Sequence, residues 1–226
     1  DISIGSVIAL SGVVSAKLIN DLGFGIFPAL VVGVLVGIVC GLISGIMVAH
    51  FEVPALIATL AMQTIARGFA FIMTQGIPVY GLPESIKTLG QGYFLGIPIP
   101  VYILALVFFI GWWMLEQTSF GRHLYAIGGN EEVARLSGIN VLVKKIQIYS
   151  LSGFFAGLSG VIMLSRLNSG QPATSEGFEM DVITAAVLGG VSVAGGQGKI
   201  INVVAGVLIM GMLSNGMTLM NLDEYW

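Results

Sequence analysis

The chain has 226 residues, of which 56% are hydrophobic and only 9% are charged. A soluble domain normally has about 25% charged residues, so a water-soluble globular protein does not fit, and the long apolar runs indicate membrane-spanning segments instead. The net charge of −3 offers no basic surface for nucleic acid, and the 32 glycines follow no collagen period.

The hydropathy pattern predicts an all-α, polytopic transmembrane helix bundle with about seven membrane segments. Each long segment has roughly the 20 residues that cross about 30 Å of hydrocarbon. In chain order, segments A to G lie near Ile2–Ile19, Phe24–Ala49, Pro54–Thr74, Pro98–Leu115, Ile146–Leu164, Val182–Ala194 and Ile200–Met220. Segment F is short for a span, so we expect it to be tilted, or broken and buried among other helices.

Two segments have glycine at every fourth position, a spacing that lets two helix backbones approach closely. We interpret these stripes as packing within the chain rather than as a dimer interface. The glycines are Gly33, Gly37, Gly41 and Gly45 in segment B, and Gly153 and Gly157 in segment E.

Arg67 is the only charge deep inside an apolar run. An intramembrane charge is costly and suggests a functional role, here in a translocation pathway. The alternatives are a side chain that snorkels, or a structural hydrogen bond to carbonyls freed near Gly68. No intramembrane carboxylates or histidines accompany Arg67 that could relay protons.

The polar connections predict the topology. The connection between segments D and E, Glu116–Lys145, has the most basic residues, and the positive-inside rule places it in the cytoplasm. The C–D connection Gln75–Ile97 and the E–F connection Asn168–Asp181 are then outside, and so is Asn221–Trp226. Glu176 and Glu179 lie in the E–F connection, which contains no Lys or Arg.

The D–E connection contains the signals of a short helix at Glu131–Ser137. Asn130 is a suitable N-cap, acidic residues follow it in the first turn, and Gly138 can provide a left-handed stop. The pattern places Val133 and Leu136 on one face.

This helix has two possible roles, because two turns are unstable alone and need a surface to pack on. It could lie on lipid, or it could dock a cytoplasmic protein. Its mixed charges favour docking, since a lipid-binding helix would be uniformly basic. Glu131 and Arg135, four residues apart, would form the polar rim of the contact.

The stretch Gly189–Ile200 superficially resembles a phosphate-binding loop but lacks its chemistry. The first required glycine is replaced by Val193 and the Mg²⁺-binding hydroxyl by Ile200. We therefore predict a glycine-rich bend between two membrane helices. The sequence contains no metal cluster, nucleophile triad or pair of buried carboxylates, so we expect no enzyme activity, no catalytic residues, no metal and no cofactor in this chain.

Segments A and B are similar to segments F and G. Segments A and F both begin with Asp followed by small and aliphatic residues, and Val32–Gly37 matches Ala205–Gly211. Because A and F are an odd number of segments apart, the two copies would have opposite orientations. This predicts an inverted internal repeat, a common transporter architecture.

These motifs together resemble the permease subunit of bacterial ABC importers for ribose and related monosaccharides, in the superfamily that includes branched-chain amino acid permeases. The resemblance covers essentially the whole chain. The motifs are Asp1–Ser6, Ile57–Leu60, Arg67–Gly68, Thr118–Glu131, Arg135–Asn140, Ala185–Gly190 and Gly195–Gly198. The resemblance implies a multi-pass protein of the bacterial inner membrane. Residues 1–226 would be one transmembrane domain, a fragment of a ten-helix permease without its first two helices and its last.

The resemblance also implies the partners. A cytoplasmic ABC ATPase would dock on the coupling helix around Asn130–Ser137 and would supply ATP hydrolysis. A periplasmic sugar-binding protein would dock on the outer loops, for which Glu176 and Glu179 are candidates, and a second permease copy would complete a homo- or heterodimer in the lipid bilayer. The main alternative is a stand-alone secondary transporter or facilitator for a small polar solute, and a weaker one is a scaffold subunit without transport. Pentoses, hexoses and cyclic furanosyl signal molecules all remain candidate substrates.

Overall fold

The computed structural model describes residues 1–220, most of which fold into α-helices. The helices are α1 (Ile4–Asn20), α2 (Ile26–Ala49), α3 (Ala55–Thr74), α4 (Thr88–Gln91), α5 (Ile99–Trp112), α6 (Ser119–Gly129), α7 (Glu131–Leu136), α8 (Val141–Leu167), α9 (Phe178–Leu188) and α10 (Ile200–Leu219). A 3₁₀ turn at Glu84–Lys87 precedes α4, a π turn at Trp113–Gln117 extends α5, and β1 (Tyr93–Phe94) pairs antiparallel with β2 (Ile97–Pro98). The predicted all-α fold is confirmed, while the prediction for 221–226 falls outside the described residues.

Fewer helices can span a membrane than the sequence predicts. Among the described residues, five are long and apolar enough: α2, α3, α5 with its π turn, α8 and α10. Helix α1 has 17 residues and α9 has 11, which at 1.5 Å per residue gives about 25 and 16 Å. The helices that meet this criterion of length and composition are thus fewer than the about seven segments predicted, because segments A and F form the shorter helices α1 and α9.

The described residues form two compact units. Unit 1 contains residues 1–105 and 142–179, and unit 2 contains residues 106–141 and the described residues from 180 onward. In unit 1, α1 is buried along most of its length and packs against α2 and α3. Its apolar side chains Val7, Ile8 and Val13 form a core with Met62 and Ala66 of α3. A short apolar helix is thus stabilised here by protein rather than by lipid.

The glycine stripe of α2 lies against the glycine stripe of α8. A Cβ atom added at Gly37 would overlap the carbonyl oxygen of Gly153 and lie 2.8 Å from Cα of Gly157, and one at Gly41 would lie 3.1 Å from Cα of Gly153. The backbones are in contact with no side chain between them, as small-residue interfaces allow. The prediction of packing within the chain is confirmed.

We expect Gly37→Ala to destabilise unit 1, because its methyl group would force two backbones apart. Overpacking of this kind costs about 1–3 kcal/mol. Gly68→Ala in α3 is the matched control, since nothing lies within 4 Å of the Cβ position there. Unfolding of the purified protein in detergent, followed by circular dichroism, should show a lower midpoint for Gly37→Ala only. Equal midpoints for both variants would contradict this packing.

The connections predicted to lie outside are in contact with one another in unit 1. Val79 and Gly170 form an antiparallel bridge with N···O distances of 2.8 and 3.0 Å, and Asn20 Nδ2 donates to the carbonyl oxygen of Tyr80 at 2.6 Å. The A–B, C–D and E–F connections are therefore at one end of the unit. This agrees with the predicted alternation of the connections across a membrane.

The two pairs of similar segments each contain a close helix–helix contact. In unit 1, a Cβ added at Gly33 of α2 would overlap Oγ of Ser15 in α1. In unit 2, a Cβ added at Gly206 of α10 would overlap the carbonyl oxygen of Ala185 in α9. Each pair is thus packed through a glycine of its second helix, but the partners are not at equivalent positions, since Ala185 aligns with Gly5 when Asp181 is matched to Asp1. The internal repeat and its inversion stay predictions.

Candidate functional site

Helix α7 begins at the predicted N-cap. Asn130 has extended backbone angles, φ −161° and ψ 108°, and its Oδ1 accepts a hydrogen bond from the Val133 N–H at 3.0 Å. Glu131 and Glu132 occupy the first turn, where negative charge interacts favourably with the helix dipole. Local sequence alone therefore defines where this helix starts.

The other end of α7 is closed by Gly138. This residue has φ +84°, and its N–H donates to the carbonyl oxygen of Arg135 at 3.1 Å. The Ile139 N–H donates to the carbonyl oxygen of Ala134, also at 3.1 Å. These two bonds make a Schellman motif, which favours glycine at the left-handed position. Six residues are thus held as a helix by caps at both ends.

The outer surface of α7 is apolar with a charged edge. Val133 is 57% exposed and Leu136 is 83% exposed, whereas Ala134 is 2% exposed and fixes the inner face. Nη2 of Arg135 lies 3.2 Å from Oε1 of Glu131. The predicted apolar face and polar rim are therefore both present on the described surface of unit 2.

Arg67 contacts the connection between α8 and α9 in unit 1. Its Nη1 donates to the carbonyl oxygens of Pro172 at 2.7 Å and Thr174 at 2.8 Å. A structural hydrogen bond was one alternative for this residue, but the acceptors lie more than 100 residues further along the chain rather than near Gly68. One guanidinium nitrogen thus satisfies two carbonyl groups of a loop.

A second polar contact joins the same helix to the start of α9. Nε2 of Gln63, one turn before Arg67, donates to Oε1 of Glu179 at 2.8 Å. Glu179 is 5% exposed, and its Oε2 has no hydrogen-bond partner among the described residues. A Cβ added at Gly5 would lie 2.6 Å from this oxygen. The beginnings of α1 and α9 therefore meet around a buried carboxylate.

The two acidic residues named for binding-protein docking have different environments. Glu176 is exposed, and its side chain is accessible to a partner. Glu179 is buried and turned toward α3. Of the two, Glu176 offers a charge that a docking protein could reach.

Three features of these sites have no strong sequence signal. Gln63 is an ordinary polar residue in an apolar helix, and only its spacing of four from Arg67 places both on one face. Helix α6 falls in a connection for which only one short helix is predicted; its N-cap, Thr118, accepts from the Gly121 N–H at 3.5 Å. Tyr125 of that helix contacts the glycine-rich bend.

Among the described residues, no group of three or more His, Cys, Asp or Glu is placed to hold a metal ion.

Comparisons with known proteins identify relatives over the whole chain. The chain is 44% identical to the ribose import permease protein RbsC of Bacillus subtilis, an alignment that covers 100% of this chain and 70% of the relative. It is 40% identical to RbsC of Haemophilus influenzae, covering 71% of that protein, and 46% identical to the L-arabinose transport system permease protein AraH of Escherichia coli, covering 68%. No solved structure matches the chain. The family described as "Branched-chain amino acid transport system / permease component" matches residues 1–226, and the chain belongs to this family.

Proposed function

We propose that this chain is the permease subunit of an ATP-driven importer that moves a ribose-like monosaccharide across the bacterial inner membrane. The observation that carries the proposal is the similarity of the entire chain, at 40–46% identity, to permeases named for the import of ribose and L-arabinose. Both of these sugars are pentoses, so a pentose is the proposed substrate class. The apolar helices suit a multi-pass protein of the membrane.

The energy for transport would come from a separate ATPase subunit. The only stretch in the sequence that resembles a nucleotide loop, Gly189–Ile200, lacks the residues that bind phosphate and Mg²⁺. In the structure it forms a bend between α9 and α10. The chain would therefore act as the pore, and catalysis would belong to its partner.

The ATPase would bind at α7. Val133 and Leu136 present an exposed apolar pair that could fill a groove in the partner. The Glu131–Arg135 pair borders it, as polar residues border the apolar centre of protein interfaces. A periplasmic binding protein would contact the connections that the topology prediction places outside, among which Glu176 is exposed, and a second permease copy would complete the pore.

Transport by the complete complex tests this function. Proteoliposomes containing the full-length permease and its ATPase, with ATP inside and binding protein outside, should accumulate labelled ribose or L-arabinose. Uptake should require both ATP and binding protein, and labelled glucose is the hexose comparator. Equal uptake by the permease without ATPase would instead support a facilitator. Failure to accumulate any monosaccharide would contradict the proposed substrate class.

Cysteine labelling tests the membrane topology. Ser137→Cys and Glu176→Cys, each in a full-length permease from which Cys40 and any other cysteine have been removed, place single exposed thiols in the α7–α8 and α8–α9 connections. Helix α8 lies between them and is long enough to span a membrane. An impermeant maleimide added to intact cells should label the Glu176→Cys thiol. The Ser137→Cys thiol should be labelled only after the cells are lysed. Labelling of both thiols from outside would contradict the topology and the inverted repeat.

A further inference from the structure

The glycine-rich bend between α9 and α10 is a compact loop in unit 2. Four of its glycines have positive φ: Gly190, Gly195, Gly196 and Gly198. The loop is closed by two backbone hydrogen bonds of 3.0 Å, from the Ser192 N–H to the carbonyl of Gln197 and from the Gly195 N–H to the carbonyl of Ser192. A loop closed in this way can move as a rigid body against the helix that it contacts, α6.

This loop lies directly against the end of α6. A Cβ added at Gly128 would overlap the backbone nitrogen of Gly196, and one at Gly196 would lie 2.7 Å from the nitrogen of Gly129. Oη of Tyr125, one turn earlier in α6, donates to the carbonyl oxygen of Gly198 at 2.8 Å. The two backbones therefore touch without a side chain between them, and a hydrogen bond fixes their register.

Both sides of this contact continue into rigid elements. Helix α6 ends at Gly129 and α7 begins at Glu131, so only the cap residue Asn130 separates the contact from α7. On the other side, a Cβ added at Gly189 would lie 2.7 Å from Cα of Val203 in α10. Backbone contacts thus connect α7 to both α9 and α10.

We propose that the contact of Gly128 and Tyr125 with the loop 189–199 transmits the movement of α7 to α9 and α10. The inference rests on the proposed function, in which an ATPase moves α7. A displacement of α7 pushes on the loop at once, because closely packed atoms leave no space that could absorb it. Gly128 and Tyr125 are positioning residues in this mechanism, and they contact neither the ATPase nor the sugar.

Two adjacent glycines provide a matched test. Gly128→Ala places a methyl group against the backbone of Gly196, whereas Gly129→Ala places one where nothing lies within 4 Å. Both residues are in α6, so their effects on helix propensity are similar. Each variant is made in the full-length permease and purified with its ATPase. ATPase stoichiometry, ATP hydrolysis and sugar uptake are then measured in proteoliposomes.

For Gly128→Ala we expect wild-type ATPase stoichiometry, continued ATP hydrolysis, and a ratio of sugar imported to ATP hydrolysed that falls roughly threefold or more. Gly129→Ala should keep the wild-type ratio. Tyr125→Phe removes only the hydrogen bond to Gly198 and should also lower the ratio, which keeps the test decisive should Gly128→Ala fail to insert. A wild-type ratio of sugar imported to ATP hydrolysed in Gly128→Ala would overturn the proposal. If Gly128→Ala does not insert, a wild-type ratio in Tyr125→Phe would overturn it. Failure of the ATPase to bind α7 would instead refute the proposed function, and the stoichiometry measurement distinguishes the two results.

Discussion

The double substitution Val133→Asp/Leu136→Asp should abolish co-purification of the ATPase with this permease. Both side chains are exposed on α7 and are the apolar groups that a docked partner would cover. Covering an unpaired carboxylate is strongly unfavourable, and the loss at a central interface residue is at least about 2 kcal/mol. Helix α7 itself should persist, because neither substitution touches the Asn130 cap or Gly138.

The control for this variant is Leu95→Asp. Leu95 is 84% exposed in the turn between β1 and β2 and has φ +50°, a conformation that Asp tolerates well. The Leu95→Asp variant tests whether a new exposed carboxylate alone disturbs the complex of permease and ATPase. Affinity purification of the tagged permease should recover the ATPase at wild-type stoichiometry with Leu95→Asp and lose it with the double variant. Full recovery with the double variant would reject α7 as the docking element and favour a helix that lies on lipid.

Helix α7 is predictable from the sequence because its signals are local. The cap, the first-turn acids and the terminating glycine lie within nine residues, from Asn130 to Gly138, and each acts on the backbone beside it. The close packing of α2 through its glycine stripe is predictable for a similar reason, since the period of four places these glycines on one helix face. These predictions required no knowledge of distant parts of the chain.

The environment of Glu179 could not be predicted in the same way. A carboxylate in a connection that contains no Lys or Arg suggests an exposed acidic surface. In the structure Glu179 is buried and accepts a hydrogen bond from Gln63, which lies 116 residues earlier and has no sequence signal for this contact. Helical periodicity shows which face a residue occupies, but it does not identify the element that packs there.

For the glycine-rich bend, too, local sequence predicts the backbone conformation but not the element that packs against it. Its composition predicts tight turns, and the positive φ angles of Gly195 and Gly196 bear this out. The partner of the bend, Gly128, lies in α6, a helix that the sequence pattern does not single out. The close approach of the two backbones therefore emerges only from the fold of unit 2.

Arg67→Leu should release the loop between α8 and α9 and sharply reduce transport. The carbonyl groups of Pro172 and Thr174 would lose their donor. Pro172 is buried, and a buried carbonyl left unsatisfied costs about 1–3 kcal/mol. Insertion into the membrane should survive, because replacing Arg with Leu lowers the cost of placing α3 in lipid. Hydrogen exchange measured by mass spectrometry should accelerate in residues 168–177, and uptake by the complete complex should fall by roughly tenfold or more.

Two comparisons separate the hydrogen bonds of Arg67 from its charge. Arg67→Lys keeps a positive group with several N–H donors and should restore much of the slow exchange and the uptake. Arg166→Leu removes a charge from an exposed position near the end of α8 and should leave both unchanged. Normal uptake and normal exchange in Arg67→Leu would show that the contacts with Pro172 and Thr174 are dispensable. Fast exchange with normal uptake would restrict Arg67 to holding the loop, because a residue that lines the sugar pathway cannot be replaced by Leu without an effect on transport.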